Sequence, residues 1–129
     1  MLQNLYPQLA GFHGLFRWVV LAVGVFAVVA AFSGWRTTTP PGKNFLRLGI
    51  LFALAMDLEL IGGLLLYAAA QPLARSAFIG HGVIMFFAVL LAHLGGALTR
   101  KASSDVLKYR APAIIWTLSL LVMLAGIPR

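Results

Sequence analysis

The sequence predicts an all-α membrane protein, a bundle of four transmembrane helices running up-down-up-down. Three observations predict it. First, 61% of the 129 residues are hydrophobic and only 10% are charged, where a soluble domain carries roughly 25% charged residues. So few charges cannot build a surface facing water. Second, four apolar stretches each approach the about 20 residues that cross a bilayer. Third, the stretches are joined by short polar segments, which make neighbouring spans antiparallel. The length suits one domain covering residues 1–129.

The first span runs over about 9–32. Residues 1–8 lack a basic side chain, Arg17 lies inside the apolar run, and no small-residue cleavage site follows. These features suit a retained span rather than a cleaved signal peptide. Residues 33–45 form a loop, because Pro40-Pro41-Gly42 cannot continue a helix. The second span covers about 46–70 and tolerates Asp57 and Glu59 between strongly apolar flanks. Residues 71–76 turn around Pro72, and the third span covers about 77–98. The polar segment 99–110, partly helical at its end, leads into the fourth span at about 111–127.

Ten Lys and Arg against three Asp and Glu leave a formal charge of +7. Arg36, Lys43 and Arg47 flank the first loop, and Arg100, Lys101, Lys108 and Arg110 fill the third. Arg75 and Arg129 lie on the other side. The positive-inside rule then places both termini outside, on the periplasmic side of a bacterial inner membrane. Attraction to anionic headgroups accounts for the basic charge, and no nucleic-acid partner is implied. The sequence has no cysteine, which excludes thiolate metal sites and cysteine nucleophiles. It shows no nucleophile–base arrangement and no phosphate loop, so independent catalysis is not expected.

Ionisable residues inside a span are costly and mark functional sites. Here they are His13, Arg17, Asp57, Glu59, His81 and His93. His13 and His81 each lie four residues into a span, on two parallel helices and at one depth near the outer surface. Two neutral imidazoles on facing helices are what a b-type haem needs for its axial positions. Gly11 and Gly14 bracket His13, and Gly80 and Gly82 bracket His81, so a flat ring can approach the backbone. Arg75 and Arg129 at the outer edge are placed to meet propionates. The plainer alternative makes each histidine an interfacial residue bonded to water or headgroups. Metal or pigment ligation is a third.

Arg17 lies one turn below His13 on the same face and needs a partner at that depth. Glu59 is expected to supply it as an interhelical pair. Asp57 points about 200° away from Glu59. His93 lies roughly 18 Å deeper than His81 and belongs to another site. For Asp57 the preferred reading is a neutral carboxyl bonded to a backbone carbonyl, with His93 facing a partner subunit. The alternative is an Asp57–His93 contact or proton-relay element. Met85 is a candidate haem ligand or a packing residue. Glu59, Gly63 and Tyr67 share one face, assigned to the interior. Gly62-Gly63 and Gly95-Gly96 permit close helix approach. Trp18, Trp35, Tyr67, Tyr109 and Trp116 suit an interfacial aromatic belt.

HGLFRW at His13–Trp18, FSGWR at Phe32–Arg36, DLELIGGLLLY at Asp57–Tyr67, His81, RKASSDVLKYR at Arg100–Arg110 and LAGIPR at Leu124–Arg129 together resemble a family of small four-helix bacterial membrane proteins sometimes labelled cytochrome b-like. The resemblance covers nearly the whole chain and implies shared roles for His13, Arg17 and His81. The chain departs from that pattern at Gly80, where the family often has Glu, at Asp57 and Glu59, where some members have His or Gln, and in its shorter outer connection.

The expected function is that of a haem-b membrane subunit in electron transfer within or beside a larger complex. Its partners would be other membrane subunits, a quinone or a periplasmic carrier. One alternative is a cofactor-free accessory subunit of a respiratory or photosynthetic complex; in a complex assembled around pigment, His81 or His93 would instead ligate (bacterio)chlorophyll. Another is a proton-coupled carrier using Asp57, Glu59 and His93.

Overall fold

The structure is a computed structural model and describes residues 1–128; Arg129 lies outside the described residues. Four α-helices make up nearly all of it: α1 Tyr6–Thr37, α2 Lys43–Ala69, α3 Ser76–Lys101 and α4 Asp105–Gly126. Short 3₁₀ turns at Leu2–Leu5 and Pro72–Ala74 precede α1 and α3. All four helices are long and apolar enough to cross a membrane.

The helices outrun the apolar stretches. The segment assigned to a loop at 33–45 is helical up to Thr37 and again from Lys43. Polar residues past the apolar run can still complete helical turns in the headgroup layer. What ends α1 is the left-handed Thr38 (φ 55°), whose N–H bonds the Gly34 carbonyl at 2.9 Å, followed by the Pro pair. Likewise α4 begins at Asp105, inside the segment expected to be mainly a connection. Ser104 is its N-cap and accepts the Leu107 N–H at 3.2 Å.

Each helix packs on two neighbours, in the cyclic order α1–α2–α3–α4–α1, so α1 faces α3 across a diagonal. The seam between α3 and α4 is tied by side chains that bond backbone carbonyls across it. Trp116 Nε1 donates to Ala92 at 3.0 Å and Ser119 Oγ to Ala88 at 2.7 Å. His81 Nδ1 bonds Gly126 at 2.6 Å. Such bonds matter in a span, where lipid offers no competing partner for a polar group.

The buried core runs through the bundle from Phe45 and Tyr109 to Met85 and Met123, and its largest rings lie toward one end. Phe45, Phe52, Tyr109 and Trp116 cluster there, with ring centres 4.8–6.3 Å apart. Gly34 makes room for Tyr109, and Gly49 and Gly95 make room for Trp116. Tyr109 and Trp116 were expected in the aromatic belt; both are buried instead. Their place is set by glycines on facing helices, which leave ring-sized gaps. Trp18 and Tyr67 are exposed.

Candidate functional site

The opposite end of the bundle is open. A cavity of about 1000 Å³ lies between the start of α1, the end of α2, the start of α3 and the end of α4. Small-molecule and cofactor sites span about 300–1,000 Å³. Its walls are mainly apolar, and its polar members are His13, Arg17, Glu59, Tyr67 and His81. The face assigned to the interior, Glu59, Gly63 and Tyr67, does line it. Met85 lines it too, and sits against Gly126.

The two histidines meet here. The ring centres of His13 and His81 are 6.2 Å apart, with planes at 87°. They come from the diagonal helices, so the space between them is the middle of the bundle. Their small neighbours contribute unequally. Gly14 and Gly82 line the cavity, and a Cβ on either would meet nothing within 4 Å. Gly11 and Gly80 stand outside it, exposed. Gly62 and Gly63 accommodate the His13 ring itself: a Cβ there would lie 3.5 Å from Nδ1 and 3.3 Å from Cε1.

Hydrogen bonding sets the His81 tautomer. A carbonyl only accepts, so Nδ1 carries the proton donated to Gly126. In the neutral ring Nε2 then keeps its lone pair. A second partner that orients the ring in this way is the usual support for a ligating histidine.

His13 has a different neighbour. Its Nδ1 lies 3.2 Å from Glu59 Oε1. The expected Arg17–Glu59 pair is not formed: among the described residues the ion pairs are His13–Glu59 and His93–Asp57. Glu59 is buried against α1 at the level of the His13 ring. The Arg17 side chain instead lies beside Trp18, its Cζ 5.5 Å from that ring's centre.

This end also collects unsatisfied polar atoms. The buried side-chain atoms without a hydrogen-bond partner, among the described residues, are His13 Nδ1, Arg17 Nε, Glu59 Oε2 and Arg75 Nε. The His13–Glu59 contact is thus close but poorly aligned. Arg75 caps α2, donating from Nη2 to Ala68 O at 3.2 Å, and lies over Tyr67 at the cavity wall. Buried polar groups are normally paired. Three of these residues, His13, Arg17 and Glu59, line the cavity.

The donor set indicates which ligand suits it. No group of three or more His, Asp or Glu able to hold a bare ion occurs among the described residues. Two imidazoles suffice where a macrocycle supplies the remaining ligands. With metal–nitrogen bonds of about 2.0–2.1 Å and about 1.1 Å from nitrogen to ring centre, two imidazoles on opposite sides of one metal have centres about 6 Å apart. The 6.2 Å separation fits this spacing.

The remaining site residues lie elsewhere. His93 Nε2 and Asp57 Oδ1 are 2.8 Å apart. The Asp57 carboxyl is therefore bonded to an imidazole rather than to a backbone carbonyl as expected. Asp57 and Glu59 point to different sides of α2, as their spacing requires, so Asp57, Glu59 and His93 do not form one cluster. The Gly126 carbonyl was missed from the sequence, since a backbone acceptor has no residue signature.

Searches against protein-family models, curated proteins and solved structures found no match to this chain.

Proposed function

We propose that the chain is a b-type haem-binding membrane subunit that takes part in electron transfer within or beside a larger membrane complex. The observation that carries this reading is the His13–His81 pair, 6.2 Å apart across a cavity of about 1000 Å³. His13 and His81 would hold the iron through their Nε2 atoms. Gly126 orients one ring, and Glu59 stands behind the other. Haem supplies a one-electron couple when bound. The chain's own residues ligate, orient and shield. Met85, Leu66 and Val89 exclude water from the apolar side of the cavity. Arg17 Nε, at the cavity wall, offers an unpaired donor for a propionate oxygen, and Arg75 stands behind Tyr67 of that wall.

The alternating contacts support an up-down-up-down course. His13 meets the end of α2, Gly34 meets Tyr109 near the start of α4, and His81 meets the end of α4. Seven basic residues at the other end of the bundle favour that end as cytoplasmic. The histidine end, with both termini, then faces the periplasm of a bacterial inner membrane. One cofactor near one face does not carry an electron across a bilayer. A quinone or a periplasmic carrier and a further subunit would complete the path.

The test is the absorption spectrum of the purified, dithionite-reduced chain supplied with haem. A b-type α-band is expected, and its loss is expected in both His13→Ala and His81→Ala at unchanged helical content. A folded but colourless protein, or a band surviving either substitution, overturns the reading. Far-red absorption would instead indicate a chlorophyll.

A further inference from the structure

The bundle carries a second polar pair that the haem reading does not use. His93 and Asp57 bridge α3 and α2 on the outside of the bundle, with side chains 52% and 36% exposed. Asp57 is fourteen residues from Lys43 and twelve from Ala69, about 21 Å and 18 Å along the helix. Both flanks exceed half of a hydrocarbon core about 30 Å thick. His93 is eight residues from Lys101 and seventeen from Ser76, about 12 Å and 25 Å, so the pair sits within the hydrocarbon, on the side of the basic loops. One turn away on α2 are Leu54 and Ile61, and on α3 Leu90 and, a further turn on, Phe86; all are exposed and apolar. The pair is a polar island on a lipid-facing flank.

Lipid cannot satisfy it. His93 Nδ1 and Asp57 Oδ2 make no further hydrogen bond among the described residues. Exposed ionisable groups at this depth are costly and turn toward protein or water. The two free atoms are also complementary to each other. About a two-fold axis normal to the membrane, Nδ1 of one copy meets Oδ2 of the other, and the reverse, as an isologous contact requires. Each such bond needs one proton, which satisfies it on either atom. Each copy also holds one proton on Nε2, donated to its own Asp57 Oδ1. The ring of four side chains is then fully bonded without any other molecule.

We propose that this flank is the interface of a homodimer, in which the Asp57–His93 pairs of two copies close on each other inside the bilayer. The occupant is a second copy because the pair, once it holds a second proton on Nδ1 or Oδ2, offers one donor and one acceptor that its own symmetry mate completes. The Asp57–His93 pair itself lies outside the His13–His81 cavity, whose rim the flank adjoins at Phe86.

The absence of native cysteine makes the test clean. Single-cysteine variants Leu54→Cys, Ile61→Cys and Leu90→Cys probe the proposed interface, and Phe26→Cys and Leu121→Cys probe exposed positions on α1 and α4. Each full-length variant, purified and reconstituted in liposomes, is treated with a short bis-maleimide. Dimer crosslinks are expected from the first group and not from the second. In parallel, subunit counting over a range of protein-to-lipid ratios should show a dimer. Its dissociation should rise by about tenfold or more in His93→Phe and Asp57→Leu. Crosslinks equally strong from α1 and α4, a chain monomeric at every ratio, or unchanged dissociation in folded His93→Phe overturns the proposal. So does crosslinking in native membranes only to a different protein. The crosslinking arm leaves His93 and Asp57 intact, so it decides the matter even where the pair variants fail to fold.

Discussion

The two ends of the bundle use the same small residue to opposite effect. Around Gly34, Gly49 and Gly95 the missing side chains are replaced by Tyr109 and Trp116, which fill the gaps they leave. Around Gly14 and Gly82 nothing fills the gap, and a cavity of about 1000 Å³ remains between two histidines. The difference lies in α4. It carries both aromatic rings by Trp116, and after that it continues TLSLLVMLAG without one. A glycine in a membrane helix is thus an instruction to pack closely only when the facing helix supplies the bulk. Where it does not, the same residue opens a site.

Trp116→Ala should produce the largest break in this comparison. It empties the closed end and leaves Gly49 and Gly95 without a partner. A loss of about 3–5 kcal/mol is expected in SDS-induced unfolding. A cost no larger than that of Met85→Ala, at the open end, would remove the distinction between the two halves.

Adding one methyl group at each end sharpens it. Gly34→Ala and Gly95→Ala drive a Cβ into Tyr109 and Trp116, and each should cost about 1–3 kcal/mol. Gly14→Ala and Gly82→Ala meet nothing, and each should stabilise its helix by about 0.5–1 kcal/mol. Thermal unfolding of the four variants in one detergent compares the two ends with the chemistry held fixed. Under the haem reading, Gly14→Ala and Gly82→Ala should also weaken retention of haem while the fold gains stability. A structural role alone would not separate those two readouts.

The smallest loss of stability is expected at the seam that links the two ends. Ser119→Ala removes the bond to Ala88 and should cost about 1 kcal/mol in the same unfolding assay. Because the Ala88 carbonyl also belongs to its own helix, the substitution should leave the spectrum of a bound cofactor unchanged.

Much of this architecture was legible in the residue order. Four apolar runs, the short Pro- and Gly-marked connections and the equal depth of His13 and His81 follow from counting along the chain. The error over Arg17 has a definite origin. Depth predicts which residues share a level, and Arg17, Glu59 and His13 nearly share one. Which of them touch depends on how far each helix is rotated about its axis. In a soluble helix a polar face reports that rotation. These four helices are apolar nearly all round, and the report is lost. The same loss explains why Trp116 was expected at the interface and found in the core.

By itself, the sequence determined that the chain forms four membrane-length helices with two histidines level near one end and further ionisable residues deeper in. Hydrophobic length and the rise per residue are enough for that, since both run along the chain. The tertiary structure alone decided that Glu59 stands against His13 and not Arg17, that Gly126 orients His81, and that Asp57 and His93 face outward. Those pairings are set by helix rotation and close packing at glycines. Both are settled by the shapes of side chains on other helices, which no single stretch of sequence contains.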